Sequence, residues 1–213
     1  MKFFQNIDYS IFNFINQTIS NPLFDIIMPI FHKPFNFLSI LFLITIGLLT
    51  FKKSLRQRFL NPSLLSYKIN PFMILSFILL TIIITDQTGR SIKNLEIRDR
   101  PWVGKNIEQV NCLVCKIDKN NSNLYPEKGK GSKKSFPSNH SANSFALAII
   151  ISFFFPRLKI GAYILAFTIL FSRVYIGVHY PFDVIYGMSI GILSGYLVKL
   201  FFNLYIRNKE LIR

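Results

Sequence analysis

The 213-residue sequence predicts an all-α fold, an integral membrane helical bundle of five to six transmembrane helices with an N-terminal amphipathic helix and a long extracytoplasmic loop. Hydrophobic residues make up 51% of the chain and charged residues only 16%, whereas soluble proteins carry about 25% charged residues. The apolar residues occur in runs that are separated by basic loops. This pattern excludes a water-soluble globule and a disordered chain, and it indicates one membrane-embedded domain over residues 1–213.

Five apolar runs predict the membrane-spanning helices. They cover residues 35–51, 71–85, 141–155, 160–172 and 184–202. Several of these runs are shorter than the roughly 20 residues that cross a hydrocarbon core of about 30 Å. We therefore expect the helices to extend into flanking polar residues, or to pack together where the bilayer is locally thin.

Residues 1–33 precede the first run and differ from it in character. The apolar side chains of this segment recur at helical spacing, with polar residues between them: Phe4, Ile7, Ile11, Phe14 and Ile15. This spacing predicts an amphipathic helix that lies at the membrane interface. The segment lacks the basic start, the uninterrupted apolar stretch and the small-residue cleavage site of a signal peptide, so we expect it to be retained.

The distribution of basic residues predicts the orientation in the membrane. Five spans place the N-terminal segment, the loop at 86–140 and the turn at 173–183 on one side. The connections on the other side hold 11 basic residues and one acidic residue: Lys52, Lys53, Arg56, Arg58, Lys68, Arg157, Lys159, Lys199, Arg207, Lys209 and Arg213, against Glu210. Because short basic loops stay in the cytoplasm, the long loop is predicted to face outward from the plasma (inner) membrane.

The net charge of +15 indicates an anionic partner. A nucleic-acid-binding module would need a polar face that this chain mostly lacks, so no nucleic acid is expected. Anionic lipid headgroups or phosphate esters in the membrane are the predicted partners. No obligate protein partner is evident from the sequence.

The predicted extracytoplasmic loop at 86–140 is polar and has no apolar periodicity between residues 116 and 135. Its composition is typical of a flexible lid or tether. Two interpretations stay open for its lysines: they lie in a solvated loop, or they raise the local concentration of an anionic substrate. The lysines concerned are Lys128, Lys130, Lys133 and Lys134.

Cys112 and Cys115 form an isolated C-x2-C pair in the same loop. Zinc would need two further ligands nearby, and a thioredoxin-like site would need a βαβ context, so neither is expected. Outside the cytoplasm, a local disulfide and two free thiols are both compatible with this spacing.

Three polar clusters lie at the outer ends of predicted spans, where polar side chains are costly and are therefore functional candidates. The first contains Lys93, Arg98, Arg100 and Pro101; the second contains Pro137, Ser138, Asn139 and His140; the third contains Ser172, Arg173, His179 and Asp183. If the second span continues past residue 86, Lys93 and Arg100 lie two turns apart on one helix face. Ser138 and the N–H groups of a helix N-terminus form a ready anion site.

Each cluster alone has a structural interpretation, because basic residues anchor spans and a His and Asp pair often forms a structural hydrogen bond. Together they combine three cations, two imidazoles and one carboxylate on one predicted membrane face. One imidazole could attack an anion held by the cations, and the other could protonate the leaving group. Asp183, four residues after His179, is placed to hold that imidazole in one tautomer.

The motifs K-x6-R-P at 93–101, P-S-x-H at 137–140 and S-R-x5-H-x3-D at 172–183 resemble, in this order, the signature of the type 2 phosphatidic acid phosphatase superfamily. About ten residues agree across about ninety positions, so the resemblance is specific. It implies a bundle of about six helices, in which the N-terminal segment would be the sixth. It also implies a hydrolase of lipid phosphates that works through a phosphohistidine intermediate, without a metal or another cofactor.

The resemblance also implies a role for each matching residue. His179 would be the nucleophile, Asp183 would orient it, and His140 would protonate the departing oxygen. The phosphoryl oxygens would be held by Lys93, Arg100, Arg173, Ser138 and the backbone N–H groups near Asn139. His32 is expected to take no part in a ligand cluster.

Asn139 departs from the family, which most often has Gly at this position. Gly permits a positive φ, and Asn is the next most tolerant residue for a left-handed conformation. We therefore interpret Asn139 as a conformational substitute that preserves activity.

The resemblance does not select one lipid. Undecaprenyl pyrophosphate, the 1-phosphate of lipid A and phosphatidylglycerol phosphate all stay open as substrates. A lipid phosphotransferase that uses the same intermediate is an alternative, and so is a non-catalytic phospholipid-binding or transport protein. A soluble vanadate-dependent haloperoxidase shares the anion site, but five predicted spans argue against it.

Overall fold

A computed structural model describes residues 2–32, 37–65, 67, 69–103, 109–117, 124–126 and 133–211. The helices are α1 (Lys2–Asn13), α2 (Pro22–Ile27), α3 (Phe37–Phe51), α4 (Lys53–Phe59), α5 (Pro71–Lys93), α6 (Asn139–Phe154), α7 (Lys159–Tyr175) and α8 (Pro181–Leu211). A π-helical turn covers Phe14–Thr18, and 3-10 turns cover Met28–His32, Pro62–Leu64 and Pro156–Leu158. Two short antiparallel strands, β1 (Cys115–Ile117) and β2 (Leu124–Pro126), pair with each other. The predicted all-α class is confirmed.

Each of the five apolar runs contains a helix. Helices α5, α7 and α8 extend beyond their runs as expected, whereas α6 begins two residues before its run and ends one residue short of it, and α3 lies within its run. Within the described residues, three stretches are long and apolar enough to cross a membrane: Pro71–Lys93, Pro156–Tyr175 and Pro181–Asn208. Helices α3 and α6 are shorter, with 15 and 16 residues. The predicted count of five to six transmembrane helices therefore stays a prediction.

Helix α6 is the centre of the bundle and packs against α5, α7 and α8. Its contact with α8 is close because Gly187, Gly191 and Gly195 recur every four residues along α8. A Cβ atom on Gly187 would lie 2.4 Å from the Ser138 carbonyl oxygen, and one on Gly191 would lie 2.1 Å from the Ala142 carbonyl oxygen. Small residues at this spacing let helix backbones approach in membranes, and here they bring the starts of α6 and α8 together.

The outward faces of the long helices are apolar. Large exposed side chains occur on α5, α7 and α8: Phe72, Leu79 and Ile83; Ile160, Ile164 and Phe167; Leu193, Leu197, Leu200 and Leu204. Water-exposed helices normally place polar residues there, whereas hydrocarbon tails favour apolar ones. The arrangement is that of a membrane protein, as predicted.

The connection between α5 and α6 is shorter than predicted. The apolar run ends near residue 85, but α5 continues to Lys93, so the prediction of a loop from residue 86 is wrong. An ion pair between Asp86 and Arg90, at 2.6 Å and four residues apart, joins successive turns of this polar extension. Thr88 and Ser91 donate their hydroxyl hydrogens to backbone carbonyls one turn earlier. These local contacts continue the helix although hydrophobicity falls.

The described part of the connection is folded against the helices. Cys112 and Cys115 form a disulfide, which decides between the two predicted states of these cysteines. Lys134 forms ion pairs with Asp99 at 3.1 Å and with Glu96 at 3.5 Å, so its charge is already compensated. Lys128 and Lys130 lie outside the described residues, so their predicted attraction of anions stays untested.

The N-terminal segment is helical, and its apolar side faces outward. Phe3, Phe4 and Phe14 are exposed, whereas Asp8 and Asn16 are buried against the rest of the protein. This arrangement agrees with the predicted amphipathic helix. The side that contacts protein combines Asp8 and Asn16 with apolar Phe12, whereas the polar side chains of Gln5, Asn6 and Asn13 are exposed. Residue 33, the predicted end of the segment, lies outside the described residues.

Candidate active site

The starts of α6 and α8 are joined directly beside the third motif. The Ser138 backbone N–H donates to the Asp183 carbonyl oxygen at 3.0 Å. The backbone N–H groups of Val178 and His179 both donate to the Arg173 carbonyl oxygen at 3.2 Å. These bonds fold the connection between α7 and α8 back onto the end of α7. The second and third motifs, about forty residues apart in sequence, therefore share one region.

His179 and Asp183 lie side by side in the interior. Their side chains are 3% and 0% exposed, and Nδ1 of His179 lies 3.7 Å from Oδ2 of Asp183. Donor and acceptor atoms in a hydrogen bond are usually about 2.7–3.2 Å apart, so this distance is too long for one. Asp183 Oδ2 accepts instead from the Tyr180 backbone N–H at 2.9 Å. The predicted pair is therefore in close contact, while Nδ1 has no hydrogen-bond partner among the described residues.

Arg98 connects this pair to the N-terminal segment. It forms an ion pair with buried Asp8, and its Nη1 lies 3.7 Å from Asp183 Oδ1. The guanidinium carbon lies 3.5 Å from the centre of the Tyr180 ring. Asp8 also accepts from the Phe182 backbone N–H at 2.9 Å. A carboxylate of α1 thereby fixes both the start of α8 and the arginine beside Asp183.

Three cations surround His179. Lys93 ends α5, Arg100 lies in the following connection, and Arg173 lies near the end of α7. Arg100 donates from Nη1 to the Val178 carbonyl oxygen at 3.2 Å. Burial lowers the pKa of the His179 imidazole well below 6.5, and the charges of Arg100, Lys93 and Arg173 lower it further. The ring is therefore neutral at physiological pH, as a nucleophilic imidazole must be.

Arg100 and Lys93 reach this region differently from the prediction. Helix α5 ends at Lys93, so the two residues do not share a helix face. Instead, the Arg100 backbone N–H donates to the Lys133 carbonyl oxygen at 2.8 Å. This hydrogen bond fixes the backbone at Arg100. Burial lowers the pKa of Arg100 to about 10, which leaves its guanidinium charged at neutral pH.

Ser138 and Asn139 begin α6. Ser138 is fully buried and is the N-cap, because its hydroxyl oxygen accepts from the Ser141 N–H at 3.4 Å. The first N–H groups of this helix have no carbonyl partner within it, which makes its N-terminus favourable for an anion. Its position beside Asp183 and His179 agrees with the anion site predicted for the second motif.

The conformational interpretation of Asn139 is wrong. Asn139 is helical, and among the described non-glycine residues only Glu96 has a positive φ. Its Nδ2 donates to Oδ1 of Asp86 at 3.1 Å. The side chain occupies the space over Gly89, where a Cβ atom would lie 2.5 Å from Asn139 Oδ1. Asn139 therefore joins α6 to α5 through its amide, and Gly89 provides the room.

His140 is exposed, and its ring lies parallel to that of His32 with 6.4 Å between the centroids. His32 also contacts Arg173, with 2.6 Å between Nδ1 and Nη1. His32 was not among the site residues predicted from the sequence. No signal in the sequence could have included it, because it lies 141 positions before Arg173 and outside the three motifs.

No group of three or more His, Cys, Asp and Glu side chains within the described ranges could hold a metal ion. Each residue predicted for the site is described, and the structure brings all of them to the same end of the bundle. Their chemical roles, and the prediction that no metal or cofactor is needed, stay predictions.

Comparison with known proteins gives one matching family. The family model of the PAP2 superfamily matches residues 71–207, which include all three motifs. The chain is 41% identical over 70 residues to the lipid A 4'-phosphatase of Bacteroides thetaiotaomicron, a match that covers 32% of this chain and 31% of that protein. It is 43% identical over 65 residues to undecaprenyl-diphosphatase BcrC of Bacillus subtilis, with coverages of 30% and 33%.

A solved structure extends the similarity over nearly the whole chain. The crystal structure of LpxE from Aquifex aeolicus is similar with a TM-score of 0.61 and 25% identity, over 90% of this chain and 94% of that chain. The matches to the curated relatives, in contrast, span about a third of the length of those proteins. The similarity in sequence to the curated relatives therefore covers a limited part of each chain, while the helical framework is shared more widely with the solved structure.

Proposed function

The chain belongs to the PAP2 superfamily, and on this premise we propose that it is a metal-independent lipid phosphatase that acts through a phosphohistidine. It is a membrane protein and a phosphatase by family. To this family membership we add a mechanism, the catalytic and phosphate-binding residues, and a class of substrate. The observation that carries it is that buried His179 lies 3.7 Å from buried Asp183, with Arg100 bonded to the carbonyl oxygen of the preceding residue.

Charge compensation is the main requirement of phosphoryl transfer, because negative charge spreads over three equatorial oxygens in the transition state. Lys93, Arg100 and Arg173 supply that compensation from fixed positions, and the Ser138 hydroxyl with the first N–H groups of α6 adds neutral donors. Arg173 is 1% exposed, and its Nε has no hydrogen-bond partner among the described residues. A buried donor without a partner is costly, and a phosphoryl oxygen would satisfy it.

His179 is the nucleophile of the proposed reaction. Asp183 lies nearest to Nδ1, which assigns the attack on phosphorus to Nε2. A nitrogen–phosphorus bond forms, and the bond between phosphorus and the leaving oxygen breaks. Asp183 stabilises the positive charge that develops on the ring, as a carboxylate beside an imidazole does in other nucleophilic sites.

His140 protonates the leaving oxygen. It lies one position after Asn139 in the first turn of α6, and its side chain is exposed. This exposure is compatible with a leaving group that stays attached to a large lipid. In the second half of the reaction, His140 takes a proton from water while the water oxygen attacks phosphorus and releases His179 and inorganic phosphate.

A phosphate monoester or a pyrophosphate of a membrane lipid is the proposed substrate. The lipid A 4'-phosphatase and the undecaprenyl-diphosphatase bear names for two such lipids. The substrates we propose are therefore undecaprenyl pyrophosphate, a lipid A phosphate or phosphatidylglycerol phosphate. The active site faces the extracytoplasmic side of the plasma membrane, a proposal supported by the purely basic short loops at the opposite side.

The test is phosphate release by the purified protein in detergent, with EDTA present throughout. The substrates are the three lipids and phosphatidic acid, and the variants are His179→Ala and, as a matched control, Thr168→Ala, whose half-buried hydroxyl donates to the Ile164 carbonyl oxygen of its own helix α7. We expect release from at least one lipid, its loss in His179→Ala, and near-normal release in Thr168→Ala. Loss of activity in EDTA with recovery on adding a divalent cation would contradict the metal-independent mechanism, and unchanged release in His179→Ala would contradict its nucleophile.

A further inference from the structure

The N-terminal segment is fixed to the outer end of the bundle by buried polar contacts. The Asn16 side chain donates to the carbonyl oxygens of Asn111 and Tyr175 at 2.8 and 2.7 Å, and it accepts from the Asn111 N–H at 2.9 Å. Asn16 is 0% exposed. The Tyr175 hydroxyl donates to Asp25 at 2.7 Å. These contacts hold the segment beside the end of α7, only two residues beyond Arg173.

The last described turn of this segment contacts Arg173 directly. Arg173 Nη1 lies 2.6 Å from His32 Nδ1, and Nη2 donates to the Phe31 carbonyl oxygen at 3.4 Å. A guanidinium has donors only, so Nδ1 of His32 must accept, and the ring carries its proton on Nε2. Two acceptors from neighbouring residues therefore fix one edge of the guanidinium, while Nε remains without a partner among the described residues.

The same histidine faces the second imidazole of the proposed site. The rings of His32 and His140 are within 9° of parallel. The N-terminal segment thus contacts a cation that holds the phosphoryl group and lies beside the proposed proton donor. His32 itself lies before residues 71–207, over which the family model matches, whereas its two partners, Arg173 and His140, lie within that range.

We propose that His32 is a positioning residue of the phosphate site, which aims the Arg173 guanidinium at the phosphoryl group through Nδ1. The inference rests on the proposed function, since it assigns Arg173 to the phosphoryl oxygens. An arginine with a fixed fork binds an oxyanion with little loss of side-chain entropy. Without the acceptor, Arg173 would keep its charge but lose its orientation, and a buried donor would be left without its partner.

Two substitutions of His32 separate the role of its hydrogen-bond acceptor, Nδ1, from that of its aromatic ring. His32→Asn keeps an acceptor, because the side-chain oxygen of Asn takes nearly the position of Nδ1, but it removes the aromatic ring. His32→Phe keeps a ring parallel to His140 but has no acceptor. Gln17→Ala is the matched control, because Gln17 lies in the same segment and donates to the Gln109 carbonyl oxygen at 2.8 Å, away from Arg173.

The experiment measures binding of orthovanadate by titration calorimetry in detergent, together with kcat and KM on the lipid that is hydrolysed. A charge-assisted hydrogen bond is strong enough for its loss to weaken binding about tenfold. We expect His32→Phe to weaken orthovanadate binding and to raise KM by about tenfold, with a smaller change in kcat, at an unchanged unfolding temperature. His32→Asn should restore both to within about threefold of the unmodified protein, and Gln17→Ala should leave both unchanged.

Equal orthovanadate binding by His32→Phe and the unmodified protein would overturn the inference. So would equal losses in His32→Asn and His32→Phe, or losses that follow a lower unfolding temperature, since a purely structural contact predicts those results. The orthovanadate binding measurement does not depend on hydrolysis of a lipid. If no lipid is hydrolysed but His32→Phe alone weakens orthovanadate binding, the proposed function fails while the positioning role of His32 stands.

Discussion

The contact between Gly89 and Asn139 predicts that a small substitution in α5 has opposite effects in two backgrounds. In Gly89→Ala, the new Cβ would lie 2.5 Å from Asn139 Oδ1 and 2.9 Å from Asn139 Cγ. The Asn139 amide must rotate away, and its hydrogen bond to Asp86, now 3.1 Å, is lost. A hydrogen bond to a charged group contributes about 1.5–3 kcal/mol, whereas replacing Gly by Ala inside a helix gains about 1 kcal/mol.

The expected net change for Gly89→Ala is therefore a loss of roughly 0.5–2 kcal/mol in the free energy of unfolding. In an Asn139→Gly background, both the obstacle and the hydrogen bond are absent, so the same substitution should stabilise by up to about 1 kcal/mol. The coupling between the two positions is then roughly 1.5–3 kcal/mol. Asn139→Gly alone should retain most of the phosphatase activity, because the Asn139 amide binds Asp86 rather than the site.

The assay is reversible unfolding by denaturant in mixed micelles, applied to both single variants and the double variant. Gly47→Ala in α3 is the matched control, because nothing lies within 4 Å of the added Cβ there, and it should behave alike in both backgrounds. Equal effects of Gly89→Ala with Asn and with Gly at position 139 would contradict the predicted clash, since the added Cβ would then meet something other than the Asn139 amide.

Three further predictions concern charge and redox state. Burial and nearby cations hold the pKa of both His179 and His140 below 6.5, so the bell-shaped pH dependence of kcat/KM should have its maximum below pH 6.5. Stability should decline as pH falls below 6.5, because the unfolded chain then binds a proton that folded His179 does not; an unchanged unfolding temperature in that range would contradict this. Asp8→Asn should cost about 3 kcal/mol in denaturant unfolding, because it leaves Arg98 without its buried partner, whereas Asp99→Asn at an exposed position should cost much less. Cys112 and Cys115 should resist thiol labelling in the denatured protein until a reductant is added, and labelling without reductant would contradict the disulfide.

The bundle helices could be predicted because each contains a continuous apolar run that can be recognised in the sequence without knowledge of the tertiary fold. The end of α5 could not be placed from hydrophobicity, since Asp86 and Arg90 continue the helix through an ion pair that a hydropathy average counts as a loop. The prediction that Lys93 and Arg100 share a helix face was wrong because it also depended on where α5 ends, and α5 ends at Lys93.

The third motif was predictable because His179 and Asp183 are four residues apart at the start of a helix. The partners of the other site residues were not, since they depend on the tertiary fold. Asn139 binds Asp86, 53 positions away, and it is helical, so a conformational argument from residue type alone was insufficient. His32 and Asp8 lie in a segment whose spacing predicted only an amphipathic helix. Asp8 pairs with Arg98 and His32 contacts Arg173, and neither contact follows from the spacing of residues along a helix.

The central claim is that His179 carries the phosphoryl group during turnover. The direct measurement is to react the purified protein with lipid labelled in the scissile phosphate, quench in alkali and map the labelled peptide by mass spectrometry. We expect label on His179 that survives alkali, disappears in acid and is absent in His179→Ala. Label on another residue, or turnover with no alkali-stable label under rapid quenching, would contradict it.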